Sequence, residues 1–222
     1  MKKYISEILG TFILVFCSAG APIVNELNNG VIGLVGMAMV SGLAVLTMIY
    51  SLGDISGAHL NPAVSIGFVL AKRMALKEAL YYIIAQFSGA LLAASVLILV
   101  FPMHHGLGGT YPHGTDLQSL ILETILTFFL MFVILNVSRG DKEKGITAGI
   151  VIAAMVILEI IIGGPISGAS MNPARSLGPA ILSTDLHGQW IYCLGPILGS
   201  ALAVFIYNYV KPDSTKLEPI KP

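Results

Sequence analysis

Residues 55–67 read ISGAHLNPAVSIG and residues 166–178 read ISGASMNPARSLG; laid over one another at an offset of 111, they agree at 9 of 13 positions. One half of the chain therefore repeats the other. Glu7 with Thr11 matches Glu123 with Thr127 at nearly the same spacing, and Gly89 matches Gly199. In each copy an Asn, a good helix N-cap, is followed by Pro at the first helical position, where its missing N–H costs nothing. Helices are expected to begin at Asn61-Pro62-Ala63 and Asn172-Pro173-Ala174 and to run to about Ala71 and Leu182. Some 11 residues make about 16 Å of helix, half the thickness of a bilayer core.

A bilayer is the right frame because the 222 residues are 55% hydrophobic and 11% charged, with a mean hydropathy of +0.85. Soluble domains carry roughly 25% charged residues, so too little charge is present to solvate the surface of a soluble enzyme. A formal net charge of zero, with no long basic block, removes the footprint that nucleic-acid binding needs. Six apolar runs are long enough to span: about 5–24, 31–52, 79–101, 117–137, 146–162 and 190–210. The first follows Lys2 and Lys3, contains Glu7 and lacks a clean small-residue cleavage site, so it reads as a retained span and not a signal peptide. Cys17 and Cys193 lie inside apolar runs and imply no disulfide framework.

Eleven of the twelve Lys and Arg fall on one side of these spans: Lys2, Lys3, Lys72, Arg73, Lys77, Arg139, Lys142, Lys144, Lys211, Lys216 and Lys221. The excess of basic loop residues marks the cytoplasmic side, so both termini are expected in the cytoplasm. The exception is Arg175, directly after the second Asn-Pro-Ala. Three spans per half is an odd number, so the second half must enter the membrane from the opposite side, a transporter architecture with its site near the midplane. The expected organisation is one domain over 1–222, with repeat 1 at about 1–110, repeat 2 at about 111–210 and a cytoplasmic tail at 211–222. The two half-helices should meet at membrane depth. The non-helical stretches before them, 56–59 and 167–170, must then be buried in protein or line a water-filled cavity.

Two NPA boxes, the second followed by Arg175, within six spans and an inverted repeat, resemble the aquaporin (major intrinsic protein) family along nearly the whole chain. The segment 164–180, GPISGASMNPARSLGPA, is similar in particular to the nodulin-like intrinsic proteins of plants and their prokaryotic relatives. The resemblance implies an all-α right-handed bundle of six transmembrane helices and two re-entrant half-helices, assembled as a homotetramer with one pore per subunit. It also implies pore-lining carbonyls at Gly57, Ala58, His59, Gly168, Ala169 and Ser170, and an outer selectivity filter of Ser41, Ile160, Ala169 and Arg175. Water-selective members resemble an aromatic, a His, a small residue and Arg at those four places, so this filter departs at the first two and should be wider. Tyr192 followed by Cys193 also fits the nodulin-like branch, whereas Ser176 and Ala180 resemble the water-type pattern.

The residues themselves suggest the chemistry. Two helix N-termini aimed at one point each present about half a positive charge, and Asn61 and Asn172 add side-chain donors. A water oxygen is held there and a cation repelled. Taken with the resemblance, which implies solutes of the glycerol, urea or boric acid class, the expected function is a passive channel in the cell (plasma) membrane for water and small uncharged solutes, excluding protons and ions. A strictly water-selective channel is the alternative. A coupled secondary transporter is the rival on topology, but it would place ion-coordinating or proton-carrying groups at the midplane, where this chain has Asn, Pro and Ala.

The expected partners are water, small neutral solutes and membrane lipid, with no nucleic acid, no cofactor, no metal and no catalytic residue. Glu7 and Glu123, related by the repeat, should support the half-helices by accepting hydrogen bonds from the non-helical backbone. Glu159 has no counterpart in the first half; packing, holding the outer loop and facing the pore mouth all remain open for it. His59 should bond within its own loop, with gating as the alternative. His104, His105, His113 and His187 fall on the expected outside, as solvated residues or as a pH or metal sensor. Gly33, Gly36, Gly42, Gly89, Gly149 and Gly199 read as sites of close helix packing.

Overall fold

Runs of Leu, Ile, Val and Ala interrupted by few breakers form eight helices among the residues that the computed structural model describes, which are 1–138 and 142–211, the side chains of 142–146 excepted. They are α1 (Lys2–Leu27), α2 (Gly33–Ser56), α3 (Pro62–Leu70), α4 (Leu76–Val100), α5 (Asp116–Val137), α6 (Lys142–Ser167), α7 (Pro173–Ser183) and α8 (Gln189–Val210). Six are long and apolar enough to cross a membrane. The other two, α3 and α7, have 9 and 11 residues, about 14 and 16 Å, and cannot span. Arg139, Lys216 and Lys221, and the tail beyond residue 211, lie outside the described residues, as do the side chains of Lys142 and Lys144.

The repeat is visible in the packing. α1 packs along α4 as α5 packs along α8, and α1 against α2 as α5 against α6. Each half-helix crosses to the other half: α3 lies on α8, and α7 lies on α4 and α1. The halves are therefore interlocked and not merely adjacent. Gly89 of α4 sits against the backbone of Ile8 and Phe12, and Gly199 of α8 against that of Thr124 and Phe128, so a side chain at either place would collide with a neighbouring helix. Gly42 lies equally close to Ala153 and Ile157, and Gly149 close to Tyr50. Gly33 and Gly36 do not serve this purpose. Gly33 has φ +65 and open space around it, so it turns the chain into α2, and Gly36 meets only Ile32 one turn earlier.

Two long helices run further than their hydropathy suggests. α2 continues past Leu52 to Ser56, and α6 past Ile162 to Ser167 with Pro165 inside it. Hydrophobicity falls before the backbone hydrogen bonding stops. The non-helical stretches therefore begin at Gly57 and Gly168, one residue later than expected, and each opens with that glycine at positive φ, +85 and +81. The ends of both helices are closed by a repeated tyrosine: Tyr82 Oη donates to Ser56 O at 2.8 Å and Tyr192 Oη to Ser167 O at 2.6 Å.

Candidate functional site

At the start of α3, Asn61 Oδ1 accepts the Ala63 N–H at 2.9 Å; at the start of α7, Asn172 Oδ1 accepts the Ala174 and Arg175 N–H groups at 3.0 and 3.3 Å. With the oxygens committed to capping, the amide nitrogens point the other way. Asn61 Nδ2 donates to Met171 O at 2.8 Å and Asn172 Nδ2 to Leu60 O at 2.9 Å. The two half-helix starts are thus tied to each other across the repeat axis. Each Asn nitrogen keeps a second N–H that no atom of the described residues occupies.

The backbone leading to each Asn is held by a carboxylate from the first helix of its own repeat. Glu7 Oε1 accepts from Ser56 Oγ at 2.7 Å and from His59 N at 3.0 Å, and Oε2 accepts from Leu60 N at 2.8 Å. Glu123 repeats the pattern with Ser167 Oγ at 2.7 Å, Ser170 N at 2.9 Å and Met171 N at 2.8 Å. Ser56 and Ser167 in turn accept the N–H of Ala58 and Ala169. These bonds draw the N–H groups toward the carboxylates, and the same two segments border a cavity on the opposite side. Ala58, Leu60, Ala169 and Met171 adopt positive φ, from +45 to +52, in both copies. Such backbone is costly for residues with a Cβ, and here two buried carboxylates impose it.

The opposite side is a cavity of about 360 Å³ that runs from Phe68, Ser138 and Ala148 at the basic end of the bundle to Pro22, Leu34 and His113 at the other. Asn61 and Asn172 line its middle, and Gly57, Ala58, His59, Gly168, Ala169 and Ser170 line it on either side. Leu60 and Met171 also line it; the motif reading missed them because only the bonds to Glu7 and Glu123 reveal which way their backbone turns. Pro62, Ala63, Pro173 and Ala174 are buried behind the wall.

Ser41, Ile160, Ala169 and Arg175 all reach the lumen. Arg175 is buried, with Nη2 donating to Ser18 O at 3.0 Å, while Nη1 is enclosed and has no partner among the described residues. Ser41 spends its hydroxyl proton on Met37 O at 3.1 Å, which leaves oxygen lone pairs. Leu34 and Met37 from α2 and Ile160 and Gly164 from α6 also line this part of the cavity. The section around Arg175 is therefore two-sided: an apolar contribution from α2 and α6, and a polar one from 168–175. Thr110 Oγ1 and Ser170 Oγ both bond Ser176 Oγ, and Gln189 Nε2 donates to Thr110 O at 2.8 Å, so the loop before α5 is stitched to α7 and α8 behind the lumen.

The open question over Glu159 resolves toward burial. It is buried, does not line the cavity, and neither oxygen has a hydrogen-bond partner among the described residues. The outer histidines do not form one cluster. His104 is engaged with Glu26 at 3.1 Å and with Leu107 N at 3.0 Å. His113 lines the cavity mouth. Among the described residues no three His, Cys, Asp or Glu side chains come together as metal ligands.

An all-helical membrane bundle with an inverted repeat and a lined passage through it is the architecture of a channel. The chain belongs to the major intrinsic protein family, whose model matches residues 1–207. It is 44% identical over 221 residues to aquaporin NIP1-1 of Oryza sativa subsp. japonica, covering 99% of this chain and 78% of that protein. It is 43% identical over 212 residues to nodulin-26 of Glycine max, covering 95% and 78%. Among solved structures, the aquaglyceroporin from Plasmodium falciparum superposes with a TM-score of 0.85 at 28% identity, covering 94% of this chain and 96% of that one. Aquaporin-family proteins are channels and not enzymes.

Proposed function

We propose that the chain is one channel domain through which water and small uncharged solutes of the glycerol, urea or boric acid class pass down their gradients, while protons and ions do not. The observation that carries this reading is the continuous cavity with Asn61 and Asn172 at its middle. In it, two half-helix N-termini oppose any cation with their dipoles, and each Asn keeps one N–H for a passing oxygen. A water molecule that loses bulk partners regains a donor at the Asn pair and acceptors in the flanking carbonyls, so its barrier stays low. A proton meets the positive helix ends, an electrostatic barrier of the kind that aquaporin-type pores use.

Solute range is set where Ser41, Ile160, Ala169 and Arg175 converge. Ser and Ile in the first two places leave room, Arg175 supplies a donor for a hydroxyl or carbonyl oxygen, and the apolar residues of α2 and α6 receive the carbon face of a polyol. The functional unit is a homotetramer in the lipid of the plasma membrane, with one pore per chain. Both termini are cytoplasmic: Lys2, Lys3, Lys72, Arg73, Lys77 and Lys211 gather at one end of the bundle, as the excess of basic residues on the cytoplasmic side requires.

Stopped-flow light scattering on proteoliposomes tests this. Fast shrinkage with an impermeant osmolyte and fast reswelling with glycerol, urea or boric acid are expected. Water flux without solute flux would reduce the channel to a water-selective one. No flux above that of empty liposomes, from folded protein, would overturn the reading.

A further inference from the structure

His59 lines the half of the cavity nearer the basic end, and its ring is fixed on three sides. It stacks on Phe68 with centroids 4.5 Å apart and planes 15° from parallel, and it meets Tyr82 edge-on at 5.1 Å. Its Nδ1 lies 3.1 Å from Ser65 Oγ. Its Nε2 has no partner among the described residues and is not enclosed, so it opens to the lumen.

A neutral imidazole carries its proton on one nitrogen, and the bond made by the other decides which. Here the decision can be followed back through buried groups. Glu7 Oε2 accepts the Gln86 Nε2–H at 2.8 Å, and the same nitrogen donates its second proton to Ser65 Oγ at 3.0 Å. Ser65 Oγ is thereby an acceptor already. Its own proton has one bonded acceptor among the described residues, His59 Nδ1. Glu7, Gln86 and Ser65 are all fully buried, so water does not compete with this order.

We propose that the Glu7, Gln86 and Ser65 chain is a positioning device that holds His59 as the Nε2–H tautomer and so presents an N–H donor to the lumen. Glu7 thus has a second task besides holding the half-helix backbone. The repeat makes the device specific to one side of the pore. At the offset of 111, Ser176 stands for Ser65 and Ser170 for His59, so the other half carries a hydroxyl chain that ends at Thr110. The lumen then has donors at three depths, Arg175, the Asn pair and His59 Nε2, separated by carbonyl acceptors. A solute with two or three oxygens finds a donor in the half of the pore where the backbone otherwise offers only acceptors. This inference rests on the pore reading above for its consequence, but not for its test.

The test is nitrogen-15 NMR of histidine-labelled protein in lipid bilayers, with the His59 signals identified by their loss in His59→Gln. Wild-type protein is expected to show protonated Nε2 and unprotonated Nδ1, with the Nε2–H proton exchanging magnetisation with water. Ser65→Ala should move a large share of His59 to the Nδ1–H form, and Ser65→Thr, which keeps the hydroxyl, should restore the wild-type pattern. Nδ1–H in the wild type, or a tautomer that Ser65→Ala leaves unchanged, would overturn the proposal. Osmotic flux measured on the same wild-type sample reads the channel separately: absent flux with the Nε2–H form present would sink the proposed function and leave this inference standing.

Discussion

Glu123 accepts three buried donors, Ser167 Oγ, Ser170 N and Met171 N, and no described group replaces it. A buried donor without an acceptor costs about 1–3 kcal/mol. Glu123→Ala is therefore expected to lower thermal stability in detergent sharply and to abolish flux, with Glu123→Gln intermediate because one oxygen survives. Thermal unfolding followed by intrinsic fluorescence, next to vesicle flux, reads both. Ser41 is the opposite case, a small side chain whose importance is the space it leaves. Ser41→Phe should cut glycerol flux on the order of tenfold, equivalent to about 1.4 kcal/mol of added barrier, and slow water less. Equal losses for both solutes in stopped-flow would place the narrow section elsewhere. Arg175 joins the two kinds of role, since Nη2 ties α7 to Ser18 of α1 while the residue also lines the cavity.

Element by element, the fold depends on close approach of helices. Gly89 and Gly199 lie at repeat-related crossings where the neighbouring backbone occupies the volume a side chain would need. Overpacking against side chains costs about 1–3 kcal/mol, and a backbone cannot turn aside as a side chain can. Gly199→Val should therefore reach at least the upper part of that range, lowering the thermal midpoint and the yield of folded protein. Gly33→Ala should strain the turn at positive φ without any clash, since nothing lies within reach of its Cβ. Comparing the two variants by thermal unfolding separates crowding from backbone conformation. The half-helices are bound to the rest by different means. Each is capped by its own Asn, tied to the other by the reciprocal Asn amides, and laid on a long helix of the opposite repeat.

For the whole molecule, the inverted repeat places two positive helix ends at one depth from opposite directions, so their positive potentials add where the lumen crosses the middle. The proposed exclusion of protons rests on that convergence and not on any single side chain. Vesicles carrying the protein are expected to show water flux with weak temperature dependence and proton flux no greater than in empty liposomes. A pH-sensitive dye inside the vesicles would report a leak. Each chain encloses its own cavity, so permeability per chain should be the same whether copies are reconstituted as monomers or as the proposed tetramer. A dependence on assembly would mean that the pathway lies between chains.

Much of this was legible before folding, because the relevant information is local or repeated. Six spans follow from hydropathy, and the two half-helix starts from Asn-Pro at positions 61–62 and 172–173. The inversion follows from an odd number of spans per repeat. The pairing of Glu7 with Glu123 follows from the repeat, and the position of Ser41, Ile160, Ala169 and Arg175 along the cavity from counting out of the motifs along a family resemblance. What the linear order could not contain was set by contacts far apart in the chain. α2 and α6 continue to Ser56 and Ser167 because backbone bonding and a tyrosine from another helix outlast the apolar run. Leu60 and Met171 turn to positive φ because a carboxylate some 50 residues earlier draws their N–H groups. Glu159 is buried by its neighbours and not by its own type. His59 receives its tautomer from Gln86 and Ser65. Helix type and membrane crossing are determined by short-range sequence, whereas the direction in which a carbonyl, an amide or a ring nitrogen faces is decided only when the interlocked halves bring its partner within hydrogen-bonding distance.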